Sequence, residues 1–311
     1  MEVLLTGGCG FIGSHIAHKL VEDDFEVLII DNLSRGDINR IRDIQENVEF
    51  KKIDLRNKDK LEEIFPRKDE TIVIHTAAQV SVNKSIEDPC YDALNNIIGT
   101  LNILALSLKY NVIKFIHFSS AAIYGNPKYI PIDEEHPKNP ISPYGISKLS
   151  SEYYSLTYDH LYGLKVVVLR PFNVYGPGQN PDDPYAGVIT IFVSRVLNDK
   201  PPIVFGGHQT RDLVNVKDVV FATMLAIKEN VHGEPFNIAS GSEVSISELA
   251  NIIIKAANKP NLKPIYESMR PGDIERSVAN IDKAKKLLGY HPNVKLYEGI
   301  KEVVEWMKLH K

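Results

Sequence analysis

The stretch EVLLTGGCGFIG at residues 2–13 is the strongest indication of the fold, because an apolar run passes through a glycine-rich turn into a helix-like segment. Gly7, Gly10 and Gly13 are spaced three apart, directly after the strand-like Glu2–Leu5. Gly7 permits a tight turn, Gly10 lets the backbone approach a pyrophosphate, and Gly13 lets the helix pack close to the strand. The N-terminus of that helix then faces the phosphates with free N–H groups. The pattern predicts a dinucleotide-binding turn.

An acidic residue stands where such a turn needs one. Asp31 follows the apolar run Phe25–Ile30, eighteen positions beyond Gly13, where a carboxylate accepts hydrogen bonds from an adenosine ribose diol. A carboxylate there repels the 2′-phosphate of NADP, so we expect NAD to be the cofactor. Arg35 and Arg40 follow in the same loop, and we interpret them as solvated charges rather than phosphate partners. The alternative is an ordinary tight turn with a surface aspartate.

The first half of the chain alternates short apolar runs with segments of helical periodicity. Six runs rich in Val, Ile and Leu lack a two-residue alternation, which is typical of strands buried on both faces of a parallel sheet: Glu2–Leu5, Phe25–Ile30, Val48–Ile53, Thr71–His75, Ile113–Phe118 and Lys165–Leu169. Amphipathic spacing predicts helices between them, at Phe11–Glu22, Lys58–Phe65 and Gly99–Tyr110. The alternation predicts an α/β fold with a doubly wound parallel sheet of the Rossmann type.

The pattern changes after Arg170. Pro171–Tyr185 is dense in Pro, Gly, Asn and Asp, which predicts a long loop. Later segments predict helices and short strands, at about Gly187–Asn198, Ile203–Phe205, Leu213–Val216, from about Val219, and at Glu248–Ala257, Asp282–Leu288 and Val294–Lys308. We therefore expect a Rossmann domain over residues 1–170 plus about 216–236. A smaller α/β substrate-binding lobe is expected over residues 171–215 and 237–311.

Composition excludes several classes of function. Forty acidic and thirty-six basic residues give a formal net charge of −4 in 311 residues, which leaves no electrostatic footprint for nucleic acid. Cys9 and Cys90 lack metal-ligand spacing, which indicates a reducing compartment and no metal site. No apolar run approaches the ~18 residues of a membrane span, and the N-terminal one is too short for a signal peptide. We expect a cytoplasmic globular protein without nucleic-acid or membrane partners.

A Tyr, a Lys and a Ser form the candidate catalytic group. Tyr144 and Lys148 are four residues apart, so on a helix they share one face, and Pro143 places the tyrosine near the helix start. The lysine and the positive helix end favour tyrosinate, so we expect the phenol, whose usual pKa is about 10, to act as a base closer to neutral pH. Ser120 follows Ile113–Phe118, at a carboxyl strand end where such sheets bind ligands.

Taken together, these motifs resemble the extended short-chain dehydrogenase/reductase family over essentially the whole chain. The matching motifs are T-G-G-x-G-F-I-G at residues 6–13, Asp31-Asn32-Leu33-Ser34, Ser119-Ser120-x-x-x-Tyr124-Gly125 and Tyr144-x-x-x-Lys148. The resemblance implies a cofactor site formed by Gly7, Gly10, Phe11, Ile12, Gly13, Asp31, Asn32, Ser34, Gly36, Asp54, Leu55, Ala77, Ala78, Gln79, Asn95, Tyr144, Lys148 and Phe172. It also implies a homodimer through a four-helix interface, made by segments near Gly99–Tyr110 and Tyr144–Tyr162.

Within that cofactor site the resemblance implies particular roles. Phe11 and Ile12 would line the pyrophosphate, whereas Asp54 and Leu55 would contact adenine. Asn95 would hold the helix beside the cofactor. Lys148 would bond the nicotinamide ribose, and Phe172 would face the nicotinamide ring.

The resemblance further implies a sugar-nucleotide site, formed by Ser120, Tyr144, Asn173, Phe205, Arg211, Arg270, Asp273 and Ser277. Asn173 and the two arginines would hold a diphosphate, for which a planar guanidinium is well suited, and Asp273 a uridine ribose. In similar enzymes the position of Ser277 flanks the sugar C2 substituent, so a small residue leaves room for an N-acetyl group. The alternative is that Ser277 begins a surface strand, Ser277–Ile281, and touches no ligand.

The segment between the serine and the following Tyr-Gly separates the reactions of similar enzymes. Dehydratases carry an Asp-Glu pair there and decarboxylases a Glu, whereas this chain has Ala121-Ala122-Ile123. Elimination would lack its local acid and base. We therefore expect NAD-dependent 4-epimerisation of a UDP-hexose, with N-acetylated counterparts as further substrates. A UDP-glucuronate 4-epimerase, another sugar-nucleotide-modifying enzyme and a non-catalytic NAD-binding sensor or scaffold remain as alternatives.

Overall fold

A computed structural model describes residues 1–179, 187–269 and 274–310. Within these residues the strands are β1 (Glu2–Thr6), β2 (Glu26–Asp31), β3 (Val48–Lys52), β4 (Thr71–His75), β5 (Lys114–Phe118), β6 (Val166–Pro171), β7 (Asn173–Tyr175), β8 (Ile203–Phe205), β9 (Thr210–Asn215), β10 (Glu234–Ile238), β11 (Glu243–Ser245) and β12 (Ile265–Glu267). The α-helices are α1 (Phe11–Glu22), α2 (Lys58–Glu63), α3 (Val82–Glu87), α4 (Pro89–Ala93), α5 (Gly99–Lys109), α6 (Pro143–Tyr162), α7 (Val188–Leu197), α8 (Val216–Lys228), α9 (Ile246–Ala256), α10 (Asp282–Leu288) and α11 (Leu296–Leu309).

The central sheet has seven strands in the described part of the chain, in the order β10-β6-β5-β4-β1-β2-β3. Every neighbouring pair in this sheet is parallel. The strand order reverses between β1 and β4, and a sheet of this kind binds ligands in the crevice outside the carboxyl ends at that point. The predicted fold class, a doubly wound parallel sheet of the Rossmann type, is confirmed.

Both faces of the sheet are covered, which explains why its strands are continuously apolar. In β1, Val3 and Leu5 face one apolar core and Leu4 faces the other, and all three side chains are fully buried. The first core contains residues of α1 and α8, and the second contains residues of α5. Because successive side chains of a strand point to opposite faces, a strand covered on both sides needs no polar alternation.

A third apolar cluster, besides the two cores of the central sheet, is built from α7, α9 and α11, which contribute Phe192, Ile253 and Val303. Two small sheets, β11-β9-β7 and β12-β8, accompany these helices. The prediction of an unbroken loop from Pro171 is wrong in one place, because β7 lies inside it and pairs in parallel with β9. Its partner strand lies about forty residues later, so local composition carried no sign of the pairing.

Helix α8 and strand β10, which follow β9, pack in the core of the central sheet. The expected boundary at residues 236/237 falls inside β10, which runs to Ile238 and pairs with β6. Helix α10 packs against β10 and α8, and its residues Ala284 and Leu288 belong to the core of the central sheet. Residues 237–239 and 282–288 therefore pack with the larger body, because the outer strand β10 needs an apolar cover.

Among the described residues, no helix combines the length and the apolar character of a membrane-spanning segment. No group of three or more His, Cys, Asp or Glu side chains in that part of the chain is arranged to hold a metal ion. The two cysteines are free thiols, Cys9 buried and Cys90 exposed.

Candidate active site

A cleft of about 1600 Å³ opens at the carboxyl ends of the central strands. Every residue predicted to bind the cofactor lines this cleft, as does Ser120. These residues come from the loops that follow β1, β2, β3, β4, β5 and β6 and from helices packed beside them. The structure thus brings the predicted cofactor residues together at the crevice where the strand order reverses.

The glycine turn has the geometry of a dinucleotide cradle. Gly7 has φ +74°, and its N–H donates to the carbonyl of Ile30 at 2.7 Å. A Cβ on Gly13 would lie 2.1 Å from the carbonyl oxygen of Gly7, so α1 packs this close to the turn only with glycine there. Gly10 precedes α1 without a side chain to cap it, which leaves the first N–H groups of the helix for a ligand. The cradle fits a pyrophosphate.

Asp31 is held in a fixed orientation beside this turn. Its Oδ2 accepts from the N–H of Cys9 at 3.1 Å, and its Oδ1 accepts from the N–H of Leu33 at 2.8 Å. The side chain is buried, and burial raises its pKa, opposed by these two hydrogen bonds. A Cβ on Gly36 would lie 2.8 Å from Oδ1, so the loop approaches the carboxylate this closely because residue 36 is glycine. Each oxygen retains a lone pair for a further donor.

A second acidic group lies at the end of the cleft predicted to hold adenine. Asp54 accepts from Asn32 Nδ2 at 3.0 Å and from Arg56 at 2.8 Å and 2.7 Å, which is a bidentate pair. The Arg56 guanidinium holds the pKa of Asp54 well below its usual range. Arg56 also lies 5.5 Å from the ring centroid of Tyr91. Sequence reasoning missed Arg56, although the short Asp-x-Arg spacing was available as a signal.

Helix α6 presents the candidate catalytic residues to the cleft. It begins at Pro143, and the Ser142 hydroxyl caps it by accepting from the N–H of Gly145 at 3.1 Å. Tyr144 and Lys148 then lie on the face toward the cleft, as predicted from their spacing. Ser120 hydrogen-bonds the side chain of Tyr144. The structure therefore brings the predicted Ser, Tyr and Lys together.

The electrostatics of Tyr144 differ from the expectation. Burial raises the pKa of the phenol and the Asp92 carboxylate raises it further, whereas the hydrogen bond from Ser120 lowers it. The prediction that the helix end and the lysine bring this pKa closer to neutral is wrong, because loss of hydration of the tyrosinate outweighs them. Burial also lowers the pKa of Lys148, to about 8, and its ammonium donates to the carbonyl of Phe118.

Two buried histidines lie under Lys148. His75 and His117 are register partners on β4 and β5, with ring centroids 5.6 Å apart. The two nitrogens of His75 bond the hydroxyls of Thr6 and Thr100 at 2.8 Å and 2.9 Å. Burial lowers the pKa of His75 to about 3 and that of His117 well below its ordinary value, and Lys148 lowers both further. Both rings are therefore neutral, and Lys148 carries the positive charge here.

The contacts expected of Asn95 are made by its neighbour. Asn95 lines the cleft and donates to the carbonyl of Tyr91 in its own helix. Asn96 is buried, accepts from the N–H of Gln79 at 2.7 Å, and donates to the hydroxyl of Ser147 at 3.0 Å. It thereby ties the loop after β4 to α6. A π-helical turn at Leu94–Ile98 determines that Asn96 rather than Asn95 faces inward. The local sequence does not predict this turn.

Arg40 is not a solvated charge, and that interpretation is wrong. Its guanidinium donates to the carbonyl of Cys9 at 3.3 Å and to that of Gly178 at 2.9 Å. Arg35, its neighbour in the loop, is exposed and lies at the rim of the cleft. Sequence reasoning missed the role of Arg40 because Gly178 is 138 residues away along the chain.

Two of the predicted substrate residues, Asn173 and Arg211, lie against or on β9, and neither they nor Phe205 and Ser277 are among the residues that line the cleft. Asn173, on β7, is exposed and donates to the carbonyl of Asp212 at 3.1 Å. Arg211, on β9 itself, donates to the carbonyl of Ile274 at 2.7 Å. Phe205 ends β8, which pairs with β12 and not with β9. The predicted residues Arg270 and Asp273 lie outside the described residues.

Ser277 lies in the same region, but not as the start of a surface strand. Its side chain is only 8% exposed, and it belongs to no strand. The next residue, Val278, accepts from the N–H of Ile132 at 2.8 Å, and Ala279 donates to Asp212 at 3.1 Å. The surface-strand alternative is wrong because this segment packs between the loop after Tyr124 and β9. Contact of Ser277 with a sugar stays a prediction.

Comparison with known proteins agrees with this geometry. The family described as GDP-mannose 4,6-dehydratase matches residues 4–303. The chain belongs to this family, within the extended short-chain dehydrogenases/reductases, as its motifs predicted. Its relatives include proteins named as 4-epimerases, 4,6-dehydratases and decarboxylases of sugar nucleotides.

Individual relatives match over nearly the full length. A putative UDP-glucose 4-epimerase of Methanocaldococcus jannaschii is 46% identical, with 98% of both chains covered. The crystal structure of a Thermotoga maritima UDP-glucose 4-epimerase with UDP-glucose has a TM-score of 0.94 and 41% identity, covering 100% of this chain and 99% of that one. A Thermus thermophilus UDP-glucose 4-epimerase in complex with NAD has a TM-score of 0.89 and 37% identity, with 99% of both chains covered.

Proposed function

We propose that the chain is an NAD-dependent 4-epimerase of UDP-hexoses, which interconverts UDP-glucose and UDP-galactose. The observation that carries the proposal is the turn Ala121–Tyr124, which follows Ser120 and holds Ala121, Ala122 and Ile123 before the tyrosine. No ionisable side chain stands in that gap, where related dehydratases and decarboxylases carry acids. Epimerisation needs only a reversible proton transfer and a hydride that leaves and returns.

The cofactor side of the cleft supports NAD. The glycine turn leaves backbone N–H groups for a pyrophosphate, and the fixed carboxylate of Asp31 suits a ribose diol while repelling a 2′-phosphate. The NAD complex of the Thermus thermophilus relative agrees with this assignment. When bound, NAD supplies the acceptor and donor of the C4 hydride and a positive charge on its nicotinamide ring.

The chain itself supplies the proton chemistry. Tyr144 takes the proton of the sugar 4-hydroxyl and later returns it to the 4-oxygen, so the proton balance closes within one turnover. Ser120, which bonds the phenol, orients the reacting oxygen. The ammonium of Lys148, four residues along α6, favours the tyrosinate that burial disfavours.

The substrate side holds the nucleotide while the sugar turns. We place the UDP diphosphate against Asn173 and Arg211, from β7 and β9. The 4-keto sugar, held through its UDP, then presents its opposite face for the returning hydride. The small, buried Ser277 supports acceptance of N-acetylated hexoses as well.

One incubation tests the reaction. The protein with NAD is given UDP-galactose, UDP-N-acetylgalactosamine or UDP-galacturonate, and products are followed by NMR of the anomeric protons, with Tyr144→Phe as the inactive control. UDP-glucose formed from UDP-galactose is the expected result. A 4-keto-6-deoxy sugar would identify a dehydratase, and a pentose from the uronate a decarboxylase. Epimerisation of the uronate alone would indicate a UDP-glucuronate 4-epimerase, and NAD binding without any conversion a sensor.

We also propose that the protein is a cytoplasmic homodimer. Helix α6 exposes large apolar side chains seven or eight residues apart, which places them on one face: Ile146, Tyr153, Tyr154, Leu161 and Tyr162. Leu94 and Ile98, just before the predicted segment Gly99–Tyr110, are exposed as well. The π-helical turn that holds them packs against α6. Sedimentation equilibrium tests this, and replacing Tyr153 and Leu161 with Glu should give monomers. A monomeric wild type would contradict the proposal.

A further inference from the structure

Two side chains of the cofactor side reach across to the loop that follows β7. His15, on α1, donates from Nε2 to the carbonyl of Pro177 at 3.0 Å. Arg40 donates from Nη2 to the carbonyl of Gly178 at 2.9 Å. These contacts, here called the clasp, join segments separated by 162 and 138 residues. All four residues also line the cleft.

Arg40 links this loop to the glycine turn. Its Nη1 donates to the carbonyl of Cys9 at 3.3 Å while Nη2 holds Gly178. The N–H of Cys9 donates to Asp31, the carboxylate placed for the ribose diol. The backbone of Cys9 is therefore held on its N–H side by Asp31 and on its carbonyl side by a guanidinium whose planar fork suits two acceptors. The loop after β7 is bonded to the backbone that would cradle the pyrophosphate.

His15 holds the adjacent carbonyl. Burial lowers the pKa of His15, so the ring is neutral, and Nε2 carries the hydrogen because the carbonyl of Pro177 only accepts. The ring stands edge-on to Phe11, with centroids 5.7 Å apart at 88°. A Cβ on Gly178 would lie 3.7 Å from His15 Nε2 and 3.8 Å from Phe11 Cδ2. The loop thus packs directly over the first residue of α1.

We propose that His15 and Arg40 are positioning residues that hold the Pro177–Gly178 loop over the glycine turn and so retain the dinucleotide between turnovers. A dinucleotide under this loop leaves when the loop moves away, and that movement breaks both hydrogen bonds of the clasp. Retention suits chemistry in which the hydride returns to the carbon it left, since cofactor exchange is no part of such a cycle. The inference rests on the proposed function in one respect: the cleft must bind a dinucleotide. It does not depend on which sugar nucleotide is the substrate.

The test measures the rate at which NAD leaves. The protein is loaded with NAD, freed of excess, and free NAD is followed over time with a coupled alcohol dehydrogenase. Arg40→Ala and His15→Phe should each release NAD about tenfold faster, since each loses one or two hydrogen bonds. His15→Phe keeps a ring beside Phe11 but removes the donor. Arg40→Lys, which reaches one carbonyl, should recover part of the retention.

The matched control is Arg42→Ala. Arg42 is exposed, lies two residues from Arg40, and its removal changes the net charge equally. It should release NAD at the wild-type rate, and thermal unfolding without NAD checks that all variants are folded. Wild-type release from Arg40→Ala and His15→Phe, or equal acceleration by Arg42→Ala, would overturn the clasp. The release of NAD is measured without any sugar nucleotide, so a negative epimerase assay does not affect it. The proposed activity and the proposed role of the clasp can therefore fail independently.

Discussion

On the cofactor side, one stretch of residues 6–36 supplies the glycine turn, Asp31 and Gly36 to the cleft, whereas the proposed substrate residues Asn173, Arg211 and Ser277 come from three distant segments and do not line it. The first is held mainly by its own backbone, as in the bonds of Asp31 with neighbouring N–H groups. The second is held by contacts between β7, β9 and the chain after residue 274.

This contrast indicates where substrate choice can change without loss of cofactor binding. A turn made from one stretch depends on glycines that no side chain can replace, since a Cβ on Gly13 would overlap the Gly7 carbonyl. A surface assembled from several segments tolerates a change in one of them. Relatives that are 31–34% identical over nearly the whole chain carry names of different reactions, which agrees with this division.

The sharpest test lies where the two sides meet. Tyr144→Phe should lower turnover by roughly 10²–10⁴-fold, because it removes the proton acceptor. NAD affinity, measured by calorimetry, should stay at the wild-type value because the cradle is untouched. Tyr153→Phe, an exposed tyrosine on the same helix, serves as the control. Near-wild-type turnover in the Tyr144 variant would remove it from the mechanism.

The next test breaks the cofactor side alone. Asp31→Asn should weaken NAD binding by about 10- to 100-fold, since a charged acceptor for the ribose diol is lost. NADP binding should fall less, because the repulsion of its 2′-phosphate is relieved. Titration with both dinucleotides measures this, with Asp37→Asn as a control of equal charge change in the same loop. Equal losses for both would show that Asp31 does not select between them.

A third test uses the pH dependence of stability. Burial lowers the pKa of Lys148 to about 8 from 10.5. Between pH 8 and pH 10.5 the unfolded chain therefore binds more protons than the folded one. The free energy of unfolding should therefore rise with pH, relative to Lys148→Met, by up to about 1.4 kcal/mol per pH unit. Urea unfolding of both proteins at several pH values measures the difference. If the difference in the free energy of unfolding between the two proteins did not change with pH, the lowered pKa of Lys148 would be contradicted.

The smallest effect is expected on the substrate side. Ser277→Tyr should slow turnover of N-acetylhexosamine nucleotides about tenfold by steric exclusion, while the hexose reaction and NAD affinity stay close to wild type. Steady-state rates with UDP-galactose and UDP-N-acetylgalactosamine measure the split, with Ser277→Ala as the control. An equal loss with both sugars would show damage to the fold rather than a change of selectivity.

Prediction from sequence succeeded where the signal was local. The six first strands, α1 from Phe11 to Glu22 and the shared face of Tyr144 and Lys148 all follow from periodicity or fixed spacing. It failed where the partner was remote, as for β7, which pairs with β9, and for Arg40, which bonds Gly178. The burial of Tyr144 was likewise invisible, because the desolvation that raises its pKa comes from the surrounding tertiary structure.

Local sequence patterns were enough to predict the central sheet, the glycine turn and the acid beside it, because apolar periodicity and the steric freedom of glycine act over a few residues. They also identified the family, through motifs such as Tyr144-x-x-x-Lys148. Two features became visible only in the folded chain: Asn96 ties the loop after β4 to α6, and His15 and Arg40 bond the loop after β7. Hydrogen bonds between distant segments depend on how the elements pack, and no local pattern encodes that packing.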